Sequence, residues 1–284
     1  MIASPDPALY LLAGLAGLLV GSFLNVVILR LPPWLEHHLK QACREWSGPD
    51  GPAAETDAPP PPGIAHPPSH CPQCGHGLSW YENIPVVSFL LQRGRCRHCG
   101  TTIARQYPLV ELGAALLAVT TVAVLGPGLQ AAAVTALAWT LLALAVIDLR
   151  EHLLPDVLTL PALWAGLLLA AAGFGPTPVD AIIGAAAGYG VLWLVAHGYR
   201  LLRGRFGMGG GDLKLLAVIG AWAGWQVLPL VLLLAAVPAA LVGLALLARG
   251  HHRHTAIPFG PYLALGGWLV LLWGEQLQGV LHGL

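Results

Sequence analysis

The chain has 284 residues, 56% of them hydrophobic and 10% charged, and its mean hydropathy is +0.69. Soluble domains carry about 25% charged residues, so this composition excludes one and points to a polytopic membrane protein. Fourteen Lys and Arg balance fourteen Asp and Glu, which speaks against nucleic acid as a partner, because domains that bind it are strongly basic.

The first apolar run, Leu9–Leu29, lacks a basic leading region and a small-residue cleavage site, so it reads as a retained helix. Further runs of about 18 to 20 residues, the length a crossing needs, fall at 107–125, 129–147, 155–173, 179–200, 212–228, 229–248 and 258–275. A break near Pro229 is required because Leu215–Leu247 is too long for one crossing. The expected fold is an all-α polytopic membrane protein with about eight transmembrane helices. Its expected parts are a first helix (1–29), a cytosolic linker with a small zinc-binding module (30–106), and a seven-helix membrane domain (107–284).

The polar region contains an Ala/Pro/Gly-rich run from Gly48 to Pro62, which reads as an extended or disordered linker without a site. Beyond it, Cys71, Cys74, Cys96 and Cys99 form the pattern C-x2-C-x21-C-x2-C. Two such knuckles bring four thiolates to the corners of a tetrahedron about 2.3 Å from a zinc ion. Gly75 and Gly100 follow the pairs where tight turns are needed. Four sulfur ligands close a site, so zinc is expected to fold a module too small for its own core. Two redox dithiols or an unfilled site are the alternatives. His70, His76 and His98 read as solvated loop histidines, and Cys43 stands apart.

Acids inside or at the ends of membrane helices are costly and therefore draw notice. Glu111 lies just inside the second run, where either the helix dipole or a contact with the cysteine module accounts for it. Asp148 ends the third run, Asp156 starts the fourth, and Asp180 starts the fifth, where the dipole favours an acid. Asp212 closes the stretch Gly207-Met208-Gly209-Gly210-Gly211-Asp212 as the sixth run begins. Two crossings separate Asp148 from Asp212, so both return to one membrane face. Facing carboxylates can share a proton, letting one activate water while the other polarises a peptide carbonyl. The glycines would let an extended backbone approach Asp212; alternatively, Asp212 simply N-caps its helix. His251, His252 and His254 read as a solvated loop.

Basic residues in short loops stay cytoplasmic. With the N-terminus outside, all fourteen Lys and Arg fall in inside segments, together with Asp148 and Asp212.

Several motifs now stand in order: Gly21-Ser22-Phe23-Leu24-Asn25-Val26-Val27, the double C-x-x-C flanking Trp80-Tyr81-Glu82-Asn83-Ile84-Pro85, Arg93-Gly94-Arg95-Cys96, and Tyr107-Pro108-Leu109-Val110-Glu111. Further along the chain come Ile147-Asp148, Leu154-Pro155-Asp156, the Gly207–Lys214 stretch and Ile257-Pro258-Phe259-Gly260-Pro261-Tyr262. The chain resembles the type IV prepilin peptidases, G-x-G-D intramembrane aspartyl proteases, over nearly its whole length. The resemblance implies that Asp148 and Asp212 are catalytic, with Asp156, Gly209, Gly211, Lys214 and Glu111 in support. It also implies cleavage of a basic leader from prepilins and pseudopilins after glycine, at the cytoplasmic face of the bacterial inner membrane. Methylation of the new N-terminal residue from S-adenosylmethionine is implied too, although no nucleotide-binding sheet can be read in the polar region. Leu213 departs from the family pattern, where an aromatic is common. Two other readings remain at this point: a peptidase without methyltransferase activity, and a non-enzymatic transporter or assembly scaffold.

Overall fold

A computed structural model describes residues 6–47, 60–204, 207–250 and 257–282. Most of the Gly48–Pro62 linker and the His251, His252 and His254 cluster lie outside the described residues. Among the described residues the fold is helical: α1 (Pro7–Ser47), α2 (Val87–Leu91), α3 (Gln106–Leu125), α4 (Leu129–Glu151), α5 (Asp156–Ala171), α6 (Pro178–Arg203), α7 (Gly210–Ala223), α8 (Leu228–Ala248) and α9 (Gly260–His282). A short 3-10 turn, Trp80–Asn83, precedes α2.

Each expected apolar run contains a helix. Five of them, α1, α3, α4, α6 and α8, are long and apolar enough to cross a membrane, which makes this an integral membrane protein. With 16 and 14 residues, α5 and α7 reach only about 24 and 21 Å at 1.5 Å per residue.

Several boundaries differ from the sequence reading, as where α9 runs to His282 rather than 275, and two of the differences have a clear physical cause. α1 continues to Ser47, well past residue 29, and carries Pro32 and Pro33 inside it. Hydropathy ends at Leu29, but helical hydrogen bonding does not require apolar residues, and the Glu36–Lys40 pair at 2.7 Å supports the polar extension. α7 stops at Ala223 rather than 228, because Gly224 takes a positive φ of 84° and ends the helix. The expected break near Pro229 falls at residues 224–227, and Pro229 itself stands in the first turn of α8.

The chain divides into two compact units, one ending at Val119 and the other running from Thr120, with the boundary inside α3. In the first unit, Gly17 and Gly21 let α1 lie backbone to backbone against α3. A Cβ at Gly21 would sit 2.6 Å from Glu111 Cα. Asn25 is buried there and donates to the carbonyls of Gly21 and Tyr107 at 3.3 and 3.1 Å, which satisfies its amide inside an apolar seam.

In the second unit α7 is the central helix. Leu213, Leu215, Leu216, Ala217, Val218, Ile219 and Ala221 are all buried, as expected of a helix apolar on every face. α5, α6, α8 and α9 pack around it. Its approach to α6 depends on Gly184, Gly188 and Gly220; a Cβ at Gly188 would lie 2.6 Å from the carbonyl oxygen of Leu216. At the other end of α7, Trp222 Nε1 donates to Ala162 O of α5 at 2.8 Å. Asp180 ties the start of α6 to the turn after α7. Thr177 caps its N–H, and its Oδ1 accepts from Trp225 Nε1 and Gln226 Nε2. These bonds give Asp180 the structural role that its helix position suggested.

Candidate active site

Three helix ends converge on one point of the second unit. α4 ends where His152 takes a left-handed conformation and its N–H closes on the carbonyl of Asp148 at 3.0 Å. Pro155 then prevents any continuation. This fixes Asp148 in the last turn, 6% exposed, with its side chain turned inward. α9 begins at Gly260, whose N–H donates to Asp148 Oδ2 at 3.0 Å. The carboxylate therefore meets a helix N-terminus, where free N–H groups favour negative charge.

Asp212 comes to the same place from α7. Gly209 is the extended N-cap residue, so Asp212 is the third residue of the helix rather than its N-cap. The geometry therefore differs from the N-cap alternative. Asp212 is 8% exposed and close enough to Asp148 for their charges to interact. Leu154, in the link from α4 to α5, packs between the two approaches. A Cβ on Gly211 would lie 2.7 Å from Leu154 Cβ, and one on Gly260 would lie 3.3 Å from Leu154 Cδ1 and 2.7 Å from Asp148 Oδ2. Gly211 and Gly260 are thus required by sterics. Gly209 is not, since its Cβ position stands 4.0 Å from Asp212 Oδ2.

Asp156 is elsewhere. Both its oxygens accept from Lys214 Nζ, at 2.6 and 2.7 Å, and its side chain is 54% exposed. The pair clamps the first turn of α5 to α7, with Lys214 two residues along α7 from Asp212. Sequence reasoning named both residues but not their partnership. It also left Gly260 out of the site, although the Pro-Phe-Gly-Pro start of α9 carried the signal of a constrained helix entry.

In the first unit, the sulfurs of Cys71, Cys74, Cys96 and Cys99 all lie within 4.8 Å of one another, with Cys71 and Cys99 at 3.8 Å. A tetrahedron with bonds of about 2.3 Å has edges of about 3.8 Å, so the cluster suits a thiolate-bound ion such as zinc. The two knuckles repeat one design. The N–H groups of Gly75 and Gly100 reach back to the carbonyls of Cys71 and Cys96, both at 2.9 Å, with φ near +70° that glycine adopts freely. The N–H groups of Cys74 and Gln73 aim at the Cys71 sulfur and draw that thiol down to about 6. A Thr101 N–H pulls Cys99 the same way, but desolvation and the three neighbouring sulfurs outweigh it and leave that thiol at about 11. The rings of His76 and His98 stack on each other at 4.8 Å rather than joining the sulfurs.

Glu111 is buried and accepts the N–H of Val86 at 2.7 Å. Of the two readings of this acid, a contact with the cysteine module describes its surroundings.

The family model described as "Type IV leader peptidase family" matches residues 135–244, and "Bacterial Peptidase A24 N-terminal domain" matches residues 15–125. The chain is 50% identical over 273 residues to the prepilin leader peptidase/N-methyltransferase of Aeromonas hydrophila, covering 95% of this chain and 93% of the relative. It is 47% identical over 274 residues to a protein of the same name from Pseudomonas putida, covering 96% and 93%. A third, from Pseudomonas aeruginosa, is 46% identical over 279 residues, covering 97% and 94%. No solved structure matches.

Proposed function

Because the chain belongs to the type IV leader peptidase family, we propose that Asp148 and Asp212 are the pair with which it hydrolyses its substrate. The protein removes the leader of prepilins and N-methylates the residue so exposed. The observation that carries the catalytic reading is the convergence of two buried carboxylates from separate helices around Leu154, with the Gly260 N–H on one of them.

In the proposed reaction the two carboxylates hold one proton between them. The ionised carboxylate takes a proton from water, and the hydroxyl adds to the scissile carbonyl carbon while the protonated carboxylate donates to the carbonyl oxygen. Collapse of the resulting diol breaks the C–N bond. The proton taken from water goes to the departing amine, and the diol proton returns to the pair. The Gly260 N–H holds Asp148 in orientation throughout, and Gly211 keeps side-chain bulk out of the space beside Leu154.

Asp156 and Lys214 serve as the clamp that fixes α5 against α7, which favours Asp148 over Asp156 as the partner of Asp212. α5, α7 and α9 complete an eight-span arrangement with the N-terminus on the periplasmic side of the inner membrane. The placement of all fourteen Lys and Arg in inside segments supports that orientation. A basic leader, cut after glycine, would then remain in the cytoplasm while its scissile bond reaches the acids. Substrates are prepilins and pseudopilins.

The four cysteines would hold a zinc ion, which when bound would fix the fold of their module. The methyl donor is S-adenosylmethionine, and no Rossmann-type sheet stands among the described residues to receive it.

The test is to incubate the reconstituted chain with a synthetic leader joined to a pilin N-terminus, with and without S-adenosylmethionine, and to weigh the products. The expected products are the freed leader, an unmodified mature peptide without the donor, and a mature peptide one methyl group heavier with it. An intact peptide in both arms would contradict the reading.

A further inference from the structure

The segment between the two cysteine pairs has a backbone that chain geometry alone does not favour. Val86 sits at φ 61°, ψ −47°, and the N–H of Val87 bonds to the carbonyl of Pro85 at 2.6 Å. That is a γ-turn of the rare positive-φ kind, strained for a β-branched residue. The Glu111 carboxylate holds it by accepting the Val86 N–H at 2.7 Å. Strain of this sort persists where surrounding contacts over-determine the conformation, often for a functional reason.

The tether also sets a depth. Glu111 lies five residues into α3, about 7.5 Å along the axis from Gln106. Leu109 and Leu112 at the same level of α3 are exposed, on a helix long and apolar enough to cross a membrane. Val86 is therefore pinned level with exposed leucines of a helix long and apolar enough to cross a membrane.

The residues on either side of Val86 suit that level. Phe89 folds back onto Gly94, whose Cβ position would lie 3.0 Å from the ring. Leu90 and Leu91 point away, 66% and 79% exposed. Val87, Ile84 and Tyr81 are also exposed, and Trp80 is 81% exposed. Arg93, Arg95, Arg97 and Arg105 are exposed around this apolar surface, whereas Glu82 and Glu111, the acids between residues 60 and 111, are both buried. The outer surface is thus apolar and aromatic with a purely cationic rim, the composition of segments that sit at the boundary of anionic lipid.

We propose that the 80–97 segment is a foot in the membrane interface. Leu90 and Leu91 enter the acyl boundary, Trp80 and Tyr81 lie among the headgroups, and the arginines contact anionic lipid. Glu111 acts as a positioning residue that sets the depth of the foot through the Val86 turn. The seating of the foot does not depend on which acids are catalytic.

The test uses the full chain in nanodiscs of phosphatidylethanolamine and phosphatidylglycerol, with a benzophenone amino acid replacing Leu91. A second preparation carries the probe at Gln73, an exposed residue of the first knuckle. After irradiation, intact mass is expected to show lipid adducts at 91 and none at 73. The adduct yield at 91 should fall at least about 3-fold in Glu111→Ala, and should also fall when phosphatidylglycerol is replaced by phosphatidylcholine. Absence of lipid adducts at 91 would overturn the proposal, as would equal yields at 91 and 73. A probe at 91 that crosslinks an added pilin peptide in preference to lipid would overturn it as well, marking the surface as a substrate site.

Discussion

Asp148 Oδ2 accepts the backbone N–H of Gly260 at 3.0 Å, a buried contact between residues 112 positions apart. One end of α9 thereby fixes the orientation of an acid on α4. A methyl group at Gly260 would lie 2.7 Å from that oxygen, so it must displace the carboxylate. Gly260→Ala should lower kcat for leader cleavage about 10²-fold, the cost of a displacement near 1 Å at a reacting group. Steady-state kinetics on a leader peptide, with KM largely unchanged, checks this.

The clamp between Asp156 and Lys214 is open to a charge reversal. Asp156→Lys or Lys214→Asp alone places like charges together at a contact of 2.6 Å and should loosen α5 from α7. The double variant restores an opposite pair and should recover much of the cleavage lost by either single one. Recovery in a double-mutant cycle is incompatible with a proton-transfer role for Asp156, because a lysine cannot replace it.

The cysteine cluster should bind one ion. Elemental analysis is expected to find about one zinc per chain in the purified protein. Cys96→Ser should reduce that content strongly, since Cys96 is a buried member of the cluster. Chelation should open residues 70–102 to proteolysis.

Close backbone approach makes the α6–α7 contact intolerant of side chains. Gly188→Leu would drive its side chain into the carbonyl of Leu216 and should prevent stable folding, seen as lost thermal stability in detergent. Gly190→Ala is the control, because a Cβ there meets nothing within 4 Å; it should leave stability within about 1 kcal/mol of the parent.

Much of this was legible in the sequence because hydropathy and motif spacing are local signals. A helix stands at each of the eight apolar runs, and the four cysteines cluster as C-x2-C spacing implies. The polar extension of α1 to Ser47 was not legible, since hydropathy carries no mark of a helix that continues beyond its apolar stretch. Long-range partnerships were equally hidden. Lys214 and Asp156 are 58 positions apart, Gly260 and Asp148 are 112 apart, and no periodicity links them. The γ-turn at Val86 runs against local preference altogether, because valine disfavours positive φ; its long-range support is the Glu111 carboxylate, 25 positions away.

The proposed mechanism rests on the pairing of Asp148 with Asp212. Asp148→Asn and Asp212→Asn should each be tested in nanodiscs against two substrates, an uncut leader–pilin peptide and a peptide that already begins at the mature N-terminus. Each variant is predicted to lose cleavage of the first by at least about 10²-fold, the scale of acid–base catalysis, while still methylating the second. Cleavage at the parent rate by either variant would contradict the assignment of that aspartate.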